Sequence, residues 1–190
     1  MDFKTKKISI SNPVQKISRL SLPLGQIETP QFKQWFAESK IVDAAGKPLK
    51  TYHGTVNDFH EFSKKRIKVN FTSPQKHLGF FFTDDPSYAE RYAKKNGDKT
   101  DAQIIPVYLS IQNPKYEPIS QIDEIEEEWR QYDATHYVRN LISQGHDGIV
   151  FAGQTKLGFI QEFVAFRPEQ IKSALGNTGN FNPQDARLTA

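Results

Sequence analysis

The apolar positions of this chain change period several times, and each change marks an element. After Thr29-Pro30, a cap followed by a proline at the first turn, rings at Phe32, Trp35 and Phe36 recur at helical spacing. They predict a short amphipathic helix over 30–39, docked by its aromatic stripe. The turn-like run Ala45-Gly46-Lys47-Pro48 then leads into a strand over about 49–53. Gly79-Phe80-Phe81-Phe82-Thr83 carries too many rings to be solvated on both faces and reads as a second strand. Asp84-Asp85-Pro86 ends it, with Asp85 as the expected cap of a helix. In that helix Tyr88 and Tyr92 fall one turn apart, and small Ala89 and Ala93 beside them permit close approach to a neighbour.

The strongest strand pattern lies at 104–111 and is stopped by Asn113-Pro114, while Pro106 points to an edge or to the start of pairing. An acidic amphipathic helix is expected over about 122–129. A second is expected over 134–143, with Tyr137, Val138, Leu141 and Ile142 inward and Gly145 ending it. Residues 147–151 read as a short strand, 152–158 as a loop, 159–166 as the returning strand, and 167–172 as the segment closing the core. No internal repeat appears. The expected organisation is an N-terminal arm over 1–26, one domain over 27–182 and a tail over 183–190, with packing ending near Phe181.

Composition narrows the class. Of 190 residues, 37% are hydrophobic and 12% aromatic, 14 of them Phe, so a core built on rings is expected. A net charge of +3 permits nucleic acid without demanding it. The absence of Cys excludes a disulfide scaffold, thiol catalysis and Cys-zinc sites, and suits a reducing compartment. No apolar run approaches the roughly 18 residues that span a bilayer, so no membrane partner is expected. The charged start Met1-Asp2-Phe3-Lys4 has no apolar block after it, so no secretory signal peptide is expected. A cytoplasmic location, or delivery into a host cell by another route, fits. The carboxylates of 122–129 have no His or Asp at ligand spacing, so no metal is expected.

Three stretches carry candidate chemistry. Tyr52-His53-Gly54-Thr55 sets an imidazole beside a glycine whose bare backbone can approach a ligand. Lys64, Lys65, Arg66 and Lys68 form a cationic cluster, either a solvated run or a phosphate clamp over a nucleotide. Glu162 shares a strand face with Ile160 and Val164, where a carboxylate is costly unless paired or used. Taken alone, that strand reads as an edge or salt-bridged glutamate.

Together these stretches resemble the ADP-ribosyltransferase superfamily, in the branch of diphtheria toxin and the poly(ADP-ribose) polymerases with its His-Tyr-Glu signature. The motifs are Tyr52-His53-Gly54-Thr55, then Gly79-Phe80-Phe81-Phe82-Thr83-Asp84 with Tyr92 beyond, then Glu162-Phe163-Val164-Ala165-Phe166. The likeness is nearest to the ADP-ribosyltransferase domains of phage polyvalent proteins and related bacterial effectors. These share Phe32-Lys33-Gln34-Trp35-Phe36, Val107-Tyr108-Leu109-Ser110-Ile111, Asp147-Gly148-Ile149 and Gln170-Ile171-Lys172-Ser173. The resemblance covers about residues 30–182. It implies an α+β fold of two small antiparallel sheets packed as a split β-sandwich with flanking helices, and NAD as co-substrate in a cleft. It further implies that His53 holds the adenosine ribose and that Gly54 meets the nicotinamide carboxamide. Phe81 and Tyr92 would sandwich the nicotinamide ring, and Glu162 would hold the ribose and stabilise positive charge as the glycosidic bond breaks. Tyr52, Thr55, Arg66 and Tyr88 complete the expected cofactor-binding set, and His53, Phe81 and Glu162 the catalytic one. Gln154, Lys156 and Phe159 fall where this superfamily recognises its acceptor.

The chain departs from the pattern at three positions. Phe81 replaces the signature tyrosine and lacks its hydroxyl. Ala89 stands where the polymerases have a serine on the carboxamide, and Ile160 where arginine-modifying relatives carry an acid or amide. The expected function is mono-ADP-ribosyl transfer to a macromolecule, a protein side chain before nucleic acid, by a monomer. An NAD glycohydrolase or phosphate-transfer relative, and a non-catalytic nucleic-acid binder, are the rival readings.

Overall fold

The structure, a computed structural model, describes residues 25–64, 78–95, 102–122 and 134–190. Thr29 starts helix α1 (Pro30–Phe36) as its sequence predicts: its hydroxyl accepts the Phe32 amide at 3.1 Å, and Pro30 occupies the first turn. The helix is shorter than the expected 30–39 because Ala37 takes a φ of 46° and turns the chain out of it. Ser39 is then buried, donating its hydroxyl to the Leu109 carbonyl at 2.7 Å.

The described strands are β1 (Thr51–Thr55), β2 (Phe80–Thr83), β3 (Gln103–Leu109), β4 (Pro114–Pro118), β5 (Gly148–Thr155), β6 (Gly158–Ala165) and β7 (Ile171–Ser173). They form one seven-stranded sheet in the order β4-β5-β6-β2-β1-β3-β7. Two further helices, α2 (Pro86–Lys95) and α3 (Ala134–Ser143), make the fold α+β, as expected. The expected division into two antiparallel sheets takes a different form. β4 and β5 pair in parallel, and the halves β4-β5-β6-β2 and β1-β3-β7 stay joined through β1 and β2. That seam is thin: Tyr52↔Thr83 is its register pair, against eight pairs between β5 and β6.

Two strands were not expected. Pro114, read as a stop, opens β4, and Pro118 closes it; both prolines are tolerated because β4 is the sheet's edge. β7 is only three residues long, too short to show alternation. The expected loop over 152–158 is also corrected. β5 runs on to Thr155 and β6 starts at Gly158, so only Lys156 and Leu157 turn the hairpin. Gly158 makes so tight a turn possible with a φ of +110°, and the Thr155 hydroxyl donates to its carbonyl at 2.9 Å. The helix expected over 122–129 lies outside the described residues beyond Ile122, as do Lys65, Arg66 and Lys68 of the cationic cluster and the arm up to residue 24.

Strand pairing sorts the side chains onto two faces. On one, Phe80, Phe82, Val107, Leu109, Val150, Phe163 and Ala165 form a core with Ile41, Phe62 and Leu188. The other carries all three described helices. Val138 and Leu141 of α3 pack on Ile149, Phe151 and Val164, and Phe32, Trp35 and Phe36 of α1 pack on Tyr108. α2 crosses β1 between them.

The C-terminal segment is part of the first core, contrary to packing that ends near Phe181. Leu188 and Ala190 are buried, and the Leu188 amide donates to the His60 carbonyl at 2.9 Å. Lys172, fully buried, donates its ammonium to the carbonyls of Asp185 at 2.6 Å and Arg187 at 3.1 Å. Burial pushes its pKa down, while the nearby Asp185 carboxylate acts against that shift.

Candidate functional site

The site candidates divide by strand parity. Residues directly opposite in an antiparallel pair point to the same face. Tyr52 lies opposite Thr83, Thr83 opposite Glu162, and Glu162 opposite Phe151, so one row crosses four strands on the helix-covered face. Gly54 and Phe81 share that face by alternation, as do Ile160 and Val164, the flanking residues predicted for Glu162. His53 and Thr55 point the other way.

Helix α2 forms the roof over this row. Asp85 caps it, its carboxylate accepting the Ser87 amide at 2.8 Å, as the Asp-Asp-Pro sequence predicts. Ala89 and Ala93 are buried. At Gly54 an added Cβ would sit 1.8 Å from the Ala89 carbonyl oxygen, so the glycine is required by the contact of strand with helix. Its side-chain direction is thus taken up by α2, leaving its backbone groups as what it can offer a ligand. Ala89 is pressed into the same contact.

The close approach brings α2's tyrosines to the carboxylate. The Tyr88 hydroxyl donates to Glu162 Oε1 at 2.8 Å, and Glu162 itself is 5% exposed. Tyr92 meets Tyr88 edge-on, ring centres 5.6 Å apart at 63°. Phe81 is half-buried beside the α3 cluster. Among the described residues no buried side-chain nitrogen or oxygen lacks a hydrogen-bond partner, so this acid is accommodated by polar contacts.

Sequence reasoning did not single out Thr83, which is buried at the centre of the row. Its hydroxyl accepts the Asp85 amide at 3.2 Å, tying the end of β2 to the start of α2. The polar Thr closing an all-Phe strand was the available signal. Beside it Asp84 is half-buried, and burial raises its pKa, with Asp85 adding to the effect.

His53 occupies a different setting. Its ring is packed against Phe62 at 5.0 Å, Phe82 at 5.6 Å and Phe59 at 6.2 Å. Nδ1 lies 2.8 Å from the Phe81 carbonyl oxygen, and a carbonyl only accepts, so Nδ1 carries the proton and Nε2 is the acceptor. This bond spans β1 and β2 where their ladder is thinnest, so His53 links the two halves of the sheet. Burial pushes its pKa down, opposed by the bond to Phe81. Thr55 is buried and accepts the Asn57 amide at 3.0 Å, a turn-forming bond after β1.

The expected acceptor residues cluster at the β5–β6 hairpin. Gln154 lies opposite Phe159 on the paired strands, and Lys156 is in the turn. Phe159 and its neighbour Leu157 are 65% and 63% exposed. Arg66 lies outside the described residues. Among the described residues no cluster of His, Asp and Glu could hold a metal ion, and no helix is long and apolar enough to cross a membrane.

A family model described as ADP-ribosyltransferase in polyvalent proteins matches residues 43–181. Comparison with curated proteins and with solved structures gives no match. The matched span opens just before β1 and contains the whole row, the helix over it and the hairpin beside it. With its Tyr-His-Gly strand, its Phe-Thr-Asp strand and its buried glutamate in that order, the chain belongs to the ADP-ribosyltransferase family of polyvalent proteins.

Proposed function

We propose that the protein is an NAD-dependent mono-ADP-ribosyltransferase, moving ADP-ribose from NAD to a protein side chain and releasing nicotinamide. The carrying observation is the buried Glu162 carboxylate, fixed by Tyr88 on the sheet face that also bears Tyr52, Gly54 and Phe81. The residues suit such a substrate: aromatic surfaces at Phe81 and Tyr92 match a flat pyridinium ring, and Gly54 has amide and carbonyl groups for a carboxamide. Glu162 supplies a fixed anion where positive charge develops on the ribose as the bond to nicotinamide breaks. Preorganised charge of this kind lowers a barrier because it needs no reorganisation during the reaction. His53 points to the opposite face of the sheet, so in this reading it would serve the dinucleotide from the seam between β1 and β2, its Nε2 accepting from a ribose hydroxyl. A cation of the 64–68 cluster would meet the pyrophosphate.

An acceptor nucleophile then takes the ribose carbon, and the exposed hairpin around Gln154, Lys156 and Phe159 is where it would dock. To test this, the purified protein is incubated with NAD labelled in its adenylate half and with a cell lysate. Covalent label on protein, matched by nicotinamide release, supports transfer. Release without label on any macromolecule would instead assign NAD hydrolysis, label on RNA or DNA would change the acceptor class, and no release at all would contradict the proposal.

A further inference from the structure

We infer that Tyr88 is a positioning residue for the glutamate rather than part of the surface that holds NAD. This rests on the transferase reading above and assigns Tyr88 a role within it. The terminal torsion of a glutamate is broad, with no staggered well to hold the plane of its carboxylate. A charge that must meet one ribose therefore needs an external contact to fix it, and the protein supplies a phenol hydroxyl at 2.8 Å on Oε1.

Two features make this contact a consequence of the architecture. Gly54 lets α2 approach β1 until the Ala89 carbonyl fills the space of a Cβ, and Tyr88 directly precedes Ala89. The Tyr88 ring also rests edge-on against Tyr92, which limits its own rotation. Its hydroxyl is thereby delivered to a carboxylate that the Thr83↔Glu162 register holds on the facing strand. A stacking role would use the ring face alone, whereas this arrangement uses the hydroxyl.

Tyr88→Phe separates the two roles, since it keeps the ring and deletes the donor. Initial rates of nicotinamide release and of label transfer are measured against NAD concentration for wild type, Tyr88→Phe, Glu162→Gln and the double variant. Loss of a hydrogen bond to a charged group predicts kcat lower by about tenfold to a hundredfold in Tyr88→Phe, with KM for NAD within about threefold. In the Glu162→Gln background the same substitution should change kcat by less than about twofold, because the group it positions is already gone. Circular dichroism and melting temperature close to wild type show that the single variant is folded.

An unchanged kcat in Tyr88→Phe, or a raised KM at constant kcat, would overturn the inference while leaving the transferase reading standing. Multiplicative losses in the double variant would do the same. A wild-type protein that releases no nicotinamide would overturn both.

Discussion

The two faces of the central sheet each hold one titratable group near the seam between β1 and β2, Glu162 buried and His53 half-buried, and they handle it differently. Glu162, on the helix-covered face, receives a hydroxyl from Tyr88 on a helix brought unusually close. His53, on the opposite face, sits among three phenylalanine rings and gives its proton to a backbone carbonyl. The first environment offers the carboxyl oxygen a hydroxyl donor, while the second favours a neutral ring. One face therefore supplies a side-chain donor to its titratable group, and on the other the histidine links the two halves of the sheet while leaving one ring nitrogen as an acceptor. Of the two groups, the glutamate is the more deeply buried, and it is the one that the proposed reaction uses.

The largest disturbance of this contrast should come from Gly54→Ala. Its Cβ would collide with helix backbone, which cannot step aside as a flexible side chain can. Overpacking of this kind costs ~3 kcal/mol, a fall of roughly 6–12 °C in melting temperature for a domain of this size. By displacing α2 it should also abolish transfer. A melting temperature near that of wild type would show that the helix is free to move.

A smaller effect should come from acidification, and its sign follows from the lowered His53 pKa. The unfolded chain takes up the proton first. The contribution of neutral His53 is therefore complete above the ordinary histidine range and is lost as the pH falls through about 6.5 toward the folded pKa. Melting curves across this window should show decreasing stability in wild type. In His53→Asn, which keeps an N–H donor but does not titrate, that component of the pH dependence should be missing. An identical pH slope in both proteins would separate the stability change from this face.

The least disturbance of the fold should follow Phe159→Ser at the exposed hairpin tip. Stability should stay within about 0.5 kcal/mol by thermal melting. Labelling of a macromolecular acceptor should nevertheless fall several-fold if the aromatic is part of the docking surface. Unchanged labelling would move the acceptor contact away from this hairpin.

Much of this organisation was legible along the chain because local signals and tertiary packing agreed. The helix α3 occupies Ala134–Ser143, the expected span, and buries Val138 and Leu141 as expected, whereas Ile142, expected inward, is exposed. Glu162 could be placed with Ile160 and Val164 because period-two alternation survives in any register. β4 was hidden because prolines at both ends resemble strand breakers until an edge position excuses them. The C-terminal contacts were hidden for another reason. Lys172 looks like a surface residue by type, and only three-dimensional placement reveals carbonyls of Asp185 and Arg187 around its ammonium. Likewise Tyr88 enters the sequence reading only as a cofactor-binding residue, and nothing local tells that its hydroxyl will reach the glutamate.

The central claim is that Glu162 acts on the bond between ribose and nicotinamide, and it is tested most directly with Glu162→Gln. This variant retains a side chain of nearly the same shape and removes the negative charge. The measurement is kcat for nicotinamide release and label transfer, alongside a melting curve. The account predicts a fall of about 10²-fold or more in kcat with the fold retained, the scale of losing one preorganised charge-stabilising group. Turnover like that of wild type in a folded variant would contradict it.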